Sequence, residues 1–354
     1  MRRHASGALP EPAFMTPAQF TQHRAESRAR ILGAIAFGAA EPPVDSPECP
    51  YAWIDMPVLD GDAAFEVWTS AEPVVREEAG GLVSARDADV LFGCLRVKLD
   101  CGLECRLDAA TCLAYGRIFE FIDGRGYDHL LRVWNYVPDI NGDAEGLERY
   151  QRFNVGRHEA FAAAGRVIGK DTPAACALGS RGNDMVIYFL AARQAGRLVE
   201  NPRQTSAFEY PAQYGPRSPT FARAMLMQSA DRPLLFVSGT SSIVGHQTLH
   251  AGDAAAQAAE SIANVQAVIA HARSAGLDAA GVHADVLMKA YVRHACDGAM
   301  FRGLLTQAFG AGTRVLCLQA DICRADLLVE VEAVCVGAAA AGTGAPARFI
   351  TPAG

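Results

Sequence analysis

The sequence predicts an α+β fold in which sheets are covered by helices on one face. Three observations carry this. Apolar runs of strand length, at Leu32–Phe37, Phe65–Thr69, Val90–Lys98 and Met185–Leu190, are interspersed with longer segments of helical period. The longest of these, from Asp253 to Ala275, repeats apolar side chains at Ala258, Ile262, Val265, Val268 and Ile269, a stripe that needs a sheet to cover. The C-terminal third reads β-β-α-β-α-β-β with hairpin-like ends, which suits helices packed against one face of a sheet.

Length suggests two or three domains for the 354 residues, and half of them are hydrophobic, enough for a large core. Boundaries are expected at 145/146 and 220/221. In the first portion, 1–145, the strand Leu32–Phe37 leads into a loop from Glu41 to Pro50, and Phe65–Thr69 and Val90–Lys98 follow. Asp108 is placed to cap a helix through Phe121, which Gly124 and Gly126 stop. Arg132–Val137 reads as the next strand. The middle portion, 146–220, opens on a helix marked by Leu147, Tyr150 and Phe153 that runs to Ala164. It continues through the buried strand Met185–Leu190 to a proline-rich loop, Tyr210–Pro219. The last portion, 221–354, pairs Phe221–Met227 with Leu234–Val237 and then runs the long helix from Asp253 to its stop at Gly276. Val286–Val292, a helix Asp297–Phe309, Arg314–Gln319 and Leu327–Val336 follow. The final sixteen residues, rich in Ala, Gly and Pro, read as a frayed tail.

Composition narrows the function. Acidic residues number 39 against 32 basic ones, for a net charge of −7, and no basic run exceeds two residues. This argues against a nucleic-acid partner and leaves room for a small anionic substrate. No stretch reaches 18 apolar residues, so no membrane helix is expected. Pro10, Glu11 and Pro12 interrupt the start, so no secretory leader is expected, and the ten cysteines fit a reducing, cytoplasmic setting. Cys101, Cys105 and Cys112 match no zinc spacing, and His246 and His250 follow Gly245 in what reads as a loop. No glycine-rich phosphate motif occurs. Neither a metal nor a cofactor is expected.

Several blocks go further. Ser238-Gly239-Thr240 follows a strand, Gly252-Asp253 with Gln257 opens the long helix, and Asn264 precedes its Gly276-Leu277 end. Arg314 starts a strand, and the chain closes on Leu328-Val329-Glu330-Val331-Glu332-Ala333-Val334. In these features the C-terminal module resembles the RidA/YjgF family. A wider set resembles the chorismatases, chorismate-cleaving enzymes that contain a RidA-like module. That set comprises Trp134 to Asn141, Glu148 to Phe153 with Gly156-Arg157, Tyr210-Pro211-Ala212, Tyr214 to Pro219, Ser238 to Ile243 with Gly245-His246, and Gln319 to Arg324. The resemblance implies a chorismate-mutase-like pseudo-trimer in one chain, with three RidA-like portions around a central β barrel, helices outside and one retained substrate cleft. It also implies activity as a monomer.

Chorismate cleavage sets chemical requirements. Protonating the enol ether methylene creates an oxocarbenium-like ion and needs a carboxylic acid of raised pKa in a partly dry site. Two substrate carboxylates call for arginine forks. Glu330 and Glu332 share one strand face. By pattern alone they are as readily a pair of exposed strand glutamates. The resemblance favours Glu330 as the acid and leaves Glu332 to pair with an arginine. Tyr150 and Arg157 share a helical face, and with the resemblance both are candidate substrate ligands. Tyr210, Tyr214 and Arg217 lie in the proline-bracketed loop and join them, and Arg314 matches a carboxylate-binding arginine of RidA. Gly239 and Cys323 stand where the resemblance places a choice of product, with small Gly plus Cys resembling members that form 3-hydroxybenzoate. A thiol there can hydrogen-bond weakly or act as a nucleophile.

The leading expectation is release of pyruvate from chorismate with 3-hydroxybenzoate as the other product. The alternatives are hydrolysis to 3,4-dihydroxycyclohexa-1,5-diene carboxylate, a RidA-like imine deaminase using Arg314 and Glu330, and a ligand-binding module without catalysis.

Overall fold

The computed structural model describes residues 7–42, 48–61, 63–99, 106–144, 146–229, 232–274 and 285–337. The first third of the chain forms β1 (Glu11–Met15), α1 (Pro17–Ser27), β2 (Ile31–Gly38), β3 (Tyr51–Asp55) and β4 (Ala63–Thr69). The second forms β5 (Val75–Ala79), β6 (Leu82–Arg86), β7 (Val90–Lys98), α2 (Leu107–Asp123), β8 (His129–Pro138), α3 (Arg149–Ala163), β9 (Ala174–Ser180) and β10 (Asp184–Ala192). The last forms β11 (Arg197–Val199), β12 (Ala224–Met227), β13 (Leu234–Ser241), α4 (Ala254–Ser274), β14 (Asp285–Val292), α5 (Gly298–Phe309), β15 (Arg314–Gln319) and β16 (Val329–Val336).

One pairing order occurs three times. A strand lies antiparallel to a central strand, which lies antiparallel to the strand after the helix, which in turn pairs in parallel with an edge strand. The three versions are β1-β4-β2-β3, β7-β10-β8-β9 and β13-β16-β14-β15. Each edge strand reaches the next third at an equivalent place. Gln319 N donates to Pro57 O at 2.9 Å, Gly179 N to Asp321 O at 2.7 Å, and Arg181 N to Asp55 O at 2.9 Å. The contacts close a ring, and in every third the two residues involved are two apart.

Burial follows this threefold plan. The inner faces of the sheets share one core, with Ile35 and Phe37 from the first, Phe92, Trp134 and Tyr188 from the second, and Phe236 and Leu316 from the third. Outside, Phe20 of α1 covers the first sheet, Tyr115 and Phe161 of α2 and α3 cover the second, and Val265 and Phe301 of α4 and α5 cover the third. The α+β class with helices outside is as expected. The strands do not close into one barrel among the described residues; they stay in separate ladders. At the seam between β9 and β13 the reason is visible, because the backbone N–H of Ala175 goes to the Ser238 side chain and not to a neighbouring strand's carbonyl.

Other expectations need correction. The boundary at 145/146 runs through one sheet, since β9 pairs with β8 and α3 shares a core with α2. That at 220/221 separates β11 from β12, which pair. A helix within a crossover resembles the start of a domain when only periodicity is read. Asp108 is not the cap of α2; it sits in the first turn, paired with Arg106 at 2.6 Å. Asp253 does cap α4, accepting from Ala256 N at 3.0 Å. The stop at Gly276, Cys101 and Cys105, and the last sixteen residues lie outside the described residues.

Candidate active site

A bulge builds the site. The register of β13 against β16 slips between Val237 and Thr240, leaving Ser238 and Gly239 out of the ladder. Ser238 Oγ donates to Ala222 O and accepts from Ala175 N at 2.9 Å, which ties β13 to the edge strand of the second third. Gly239 faces the acid: a β-carbon there would collide with Glu330 Oε1 and come within 3.1 Å of Cys176 Cβ. Serine fastens the seam and glycine leaves space in it.

The cleft at this seam brings together Tyr150, Tyr210, Tyr214, Gly239, Cys323 and Glu330. Glu330 is 4 % exposed. Its Oε2 accepts from Ser241 Oγ at 3.0 Å. Burial first, and the neighbouring Glu332 carboxylate with it, raise its pKa to about 8 against the opposing Ser241 hydrogen bond. The carboxyl therefore carries its proton at neutral pH, as a general acid must.

Glu332 behaves in the opposite way. Burial opposes its charge, but Lys289 and Arg132 outweigh that and hold it below the ordinary carboxylate range. Arg132 Nη2 lies 2.6 Å from Oε2, while Lys289 Nζ and Trp134 Nε1 each lie 2.8 Å from Oε1. Two glutamates two residues apart thus hold different charge states, set by their partners.

Around the cavity the loop from Asn201 to Thr220 supplies aromatic rings. Tyr214 Oη meets His246 Nδ1 at 3.1 Å, and the Arg324 guanidinium lies 4.0 Å from the Tyr214 ring centroid. Arg223 Nη2 donates to Tyr210 Oη at 2.8 Å. Arg223 and Arg324 both line the cleft, and neither was singled out from the sequence. Arg324 ends the block from Gln319 that carried the resemblance, so its signal was present. Arg223 follows Phe221 with nothing local to mark it.

Three arginines stand elsewhere than expected. Arg157 is buried behind the cleft wall, its guanidinium 5.3 Å from the Tyr115 ring and 5.9 Å from that of Phe153, with Nε and Nη2 lacking any hydrogen-bond partner. Arg217 is exposed and does not line the cleft. Arg314 lies at another seam, between the third and first sheets, where it pairs with Asp285 and shares a separate cleft with Glu11 and Arg232. In a threefold arrangement an arginine on an edge strand faces the following seam, not the one that holds Glu330.

Residues 66–191 match the family described as chorismatase FkbO/Hyg5-like, N-terminal. A 3-hydroxybenzoate synthase of Streptomyces hygroscopicus is 38% identical over 317 residues, 86% of this chain and 91% of that protein. The chain belongs to the chorismatase family. A chorismatase of Streptomyces rapamycinicus is 39% identical over 86% of this chain and 92% of that one. A chorismatase crystal structure covers 93% of this chain and all of its own, with a TM-score of 0.81 at 33% identity.

In this chorismatase Cys323 is half-buried at the cleft, and burial first, with the Glu330 charge, pushes its thiol up to about 12. It is a neutral thiol at physiological pH. That favours a weak hydrogen bond or a packing role over a thiolate nucleophile. No helix of the described residues is long and apolar enough to cross a membrane.

Proposed function

We propose that the chain cleaves the enolpyruvyl ether of chorismate by proton transfer from Glu330, releasing pyruvate and 3-hydroxybenzoate. One observation carries the reading: a buried carboxyl that keeps its proton at neutral pH faces a cleft edged by Arg223 and Arg324. Proton transfer to the methylene leaves an oxocarbenium-like centre, and the conjugate carboxylate of Glu330 stands beside it. Water adds there, the hemiketal collapses to pyruvate, and loss of the ring 4-hydroxyl as water gives the aromatic acid. One water enters and one leaves, so the aromatic route is a net lyase reaction, while stopping at the diene diol is a net hydrolysis.

The imine deaminase alternative needs Arg314 beside Glu330, and Arg314 is at a different seam. We further infer a cytoplasmic enzyme with no cofactor, since a protonated carboxyl and arginines suffice for the chemistry. The test is incubation with chorismate, reading pyruvate by coupling to lactate dehydrogenase and the ring product by chromatography. Pyruvate together with 3-hydroxybenzoate is expected. Absence of pyruvate would overturn the reading, and diene diol alone would overturn the choice of product.

A further inference from the structure

Behind the cleft lies a charge network that the proposed reaction does not use. Lys289 Nζ is shared between Glu332 Oε1 at 2.8 Å and Glu66 Oε2 at 2.6 Å. Glu66 also accepts from Trp68 Nε1 at 2.9 Å and Tyr188 Oη at 2.7 Å, and Arg132 completes the set on Glu332. Two carboxylates and two cations come from all three thirds of the chain, each at most 4 % exposed. The set is neutral by itself. As a structural device it needs no further carboxyl, yet Glu330 stands next to it on the same strand face.

The groups facing Glu330 act in different directions. Arg132 from β8 and Arg223 from across the cleft favour its anion, and Ser241 Oγ does the same by donating. Glu332 from its own strand opposes ionisation. Cys176 on β9 and Cys323 are neutral thiols, and Tyr291, its register partner on β14, is a neutral phenol. Glu148 and Arg324 also line the cleft, and burial pushes the Glu148 carboxyl up, so Glu332 is the one anion among these groups that three donors keep from moving or taking a proton.

We propose that Glu332 is a positioning residue for the acid: its carboxylate, anchored by Arg132, Lys289 and Trp134, keeps the adjacent Glu330 carboxyl in the proton-donating form between turnovers. This rests on Glu330 being the acid. The raised proton affinity of Glu330 agrees with it, with burial as the larger contribution.

The experiment is the pH profile of kcat/KM for pyruvate release by the full chain in wild type, Glu332→Gln and Glu66→Gln. Glu332→Gln leaves Arg132 unopposed beside the acid, so its alkaline limb should move down by about one pH unit or more, a tenfold loss at a fixed alkaline pH. Glu66→Gln removes a carboxylate from the same lysine but not from beside the acid, and its limb should stay in place. An unmoved limb in Glu332→Gln, or equal shifts in both variants, overturns the proposal. Should Glu332→Gln not fold, infrared difference spectra of wild type against Glu330→Gln at neutral pH decide. A protonated-carboxyl band lost in Glu330→Gln supports the proposal, and a spectrum in which no such band is lost shows Glu330 already ionised beside Glu332 and overturns it. Wild-type turnover in Glu330→Gln would instead overturn the acid assignment itself.

Discussion

Gly239 and Glu330 fit together only because residue 239 has no side chain: a β-carbon there would occupy the place of Glu330 Oε1. Gly239→Ala is expected to push the carboxyl out of line with little effect on folding, since the displaced atom is the free end of a side chain. A misplacement of ~1 Å can cost about 10²-fold in rate. The kcat for pyruvate release should fall by that order. Wild-type kcat in this variant would show that the acid has other productive positions.

The proton on Glu330 sets two pH dependences. Activity should hold below about pH 8 and decline above it as the acid ionises. For stability the sign is the same. The folded value lies above the ordinary 4.5, so this group's contribution is complete in acid and is lost as pH rises through about 8. Glu332 is lowered, so its contribution is lost as pH falls below the ordinary carboxylate range. Melting temperatures of Glu330→Gln and wild type between pH 5 and 9 check this. The variant should gain on wild type as pH rises, and a constant difference would contradict the assignment.

Cation replacements should separate the arginines by place. Arg223→Ala and Arg324→Ala at the cleft should raise KM for chorismate by amounts equivalent to about 2–5 kcal/mol if each meets a buried substrate carboxylate. Arg217→Ala should leave KM nearly unchanged, because that side chain is exposed and outside the cleft. A large KM effect at Arg217 alone would mean that the loop closes over substrate in a way this structure does not hold.

Cys323→Val removes a neutral thiol and adds a branched, apolar surface. It should move the product mixture toward the diene diol while pyruvate release persists, as read by chromatography. An unchanged ratio removes Cys323 from product choice. Pairing it with Gly239→Ala would confound the result, because that change displaces the acid.

A single chain supplies both walls of the cleft, from its second and third sheets. Activity is therefore expected in the monomer. Sedimentation with activity confined to a larger assembly would contradict this.

The legible parts of the sequence were those with period or motif. Phe65–Thr69, Val90–Lys98 and Arg314–Gln319 match their strands, and the stripe from Ala258 to Ile269 is the buried face of α4. β9 escaped notice because Ala174-Ala175-Cys176-Ala177 has no β-branched residue, and it is the parallel pairing with β8 that holds it. α1 is weakly amphipathic, but its capping box, Thr16 with Gln19, was readable. At the site, Glu330, Tyr150, Tyr210, Tyr214, Gly239 and Cys323 converge. Arg157, Arg217 and Arg314 do not; for Arg314 the reason is that strand spacing reports which face a residue shares but not which seam it reaches.

The ring of three sheets has a consequence for what the centre of the molecule can hold. Lys289, Trp134 and Ile35 stand at matching places on β14, β8 and β2, opposite Glu332, Tyr188 and Glu66. Three identical subunits would repeat each of these residues three times around the axis and set like charges against one another. Covalent continuity breaks that symmetry. Each third carries its own residue, two anions meet two cations, and the seams become free to differ. One keeps an acid with its proton, while the others carry ion pairs such as Arg314–Asp285 and Arg96–Asp184. An uneven centre of this kind is closed to a trimer of identical chains.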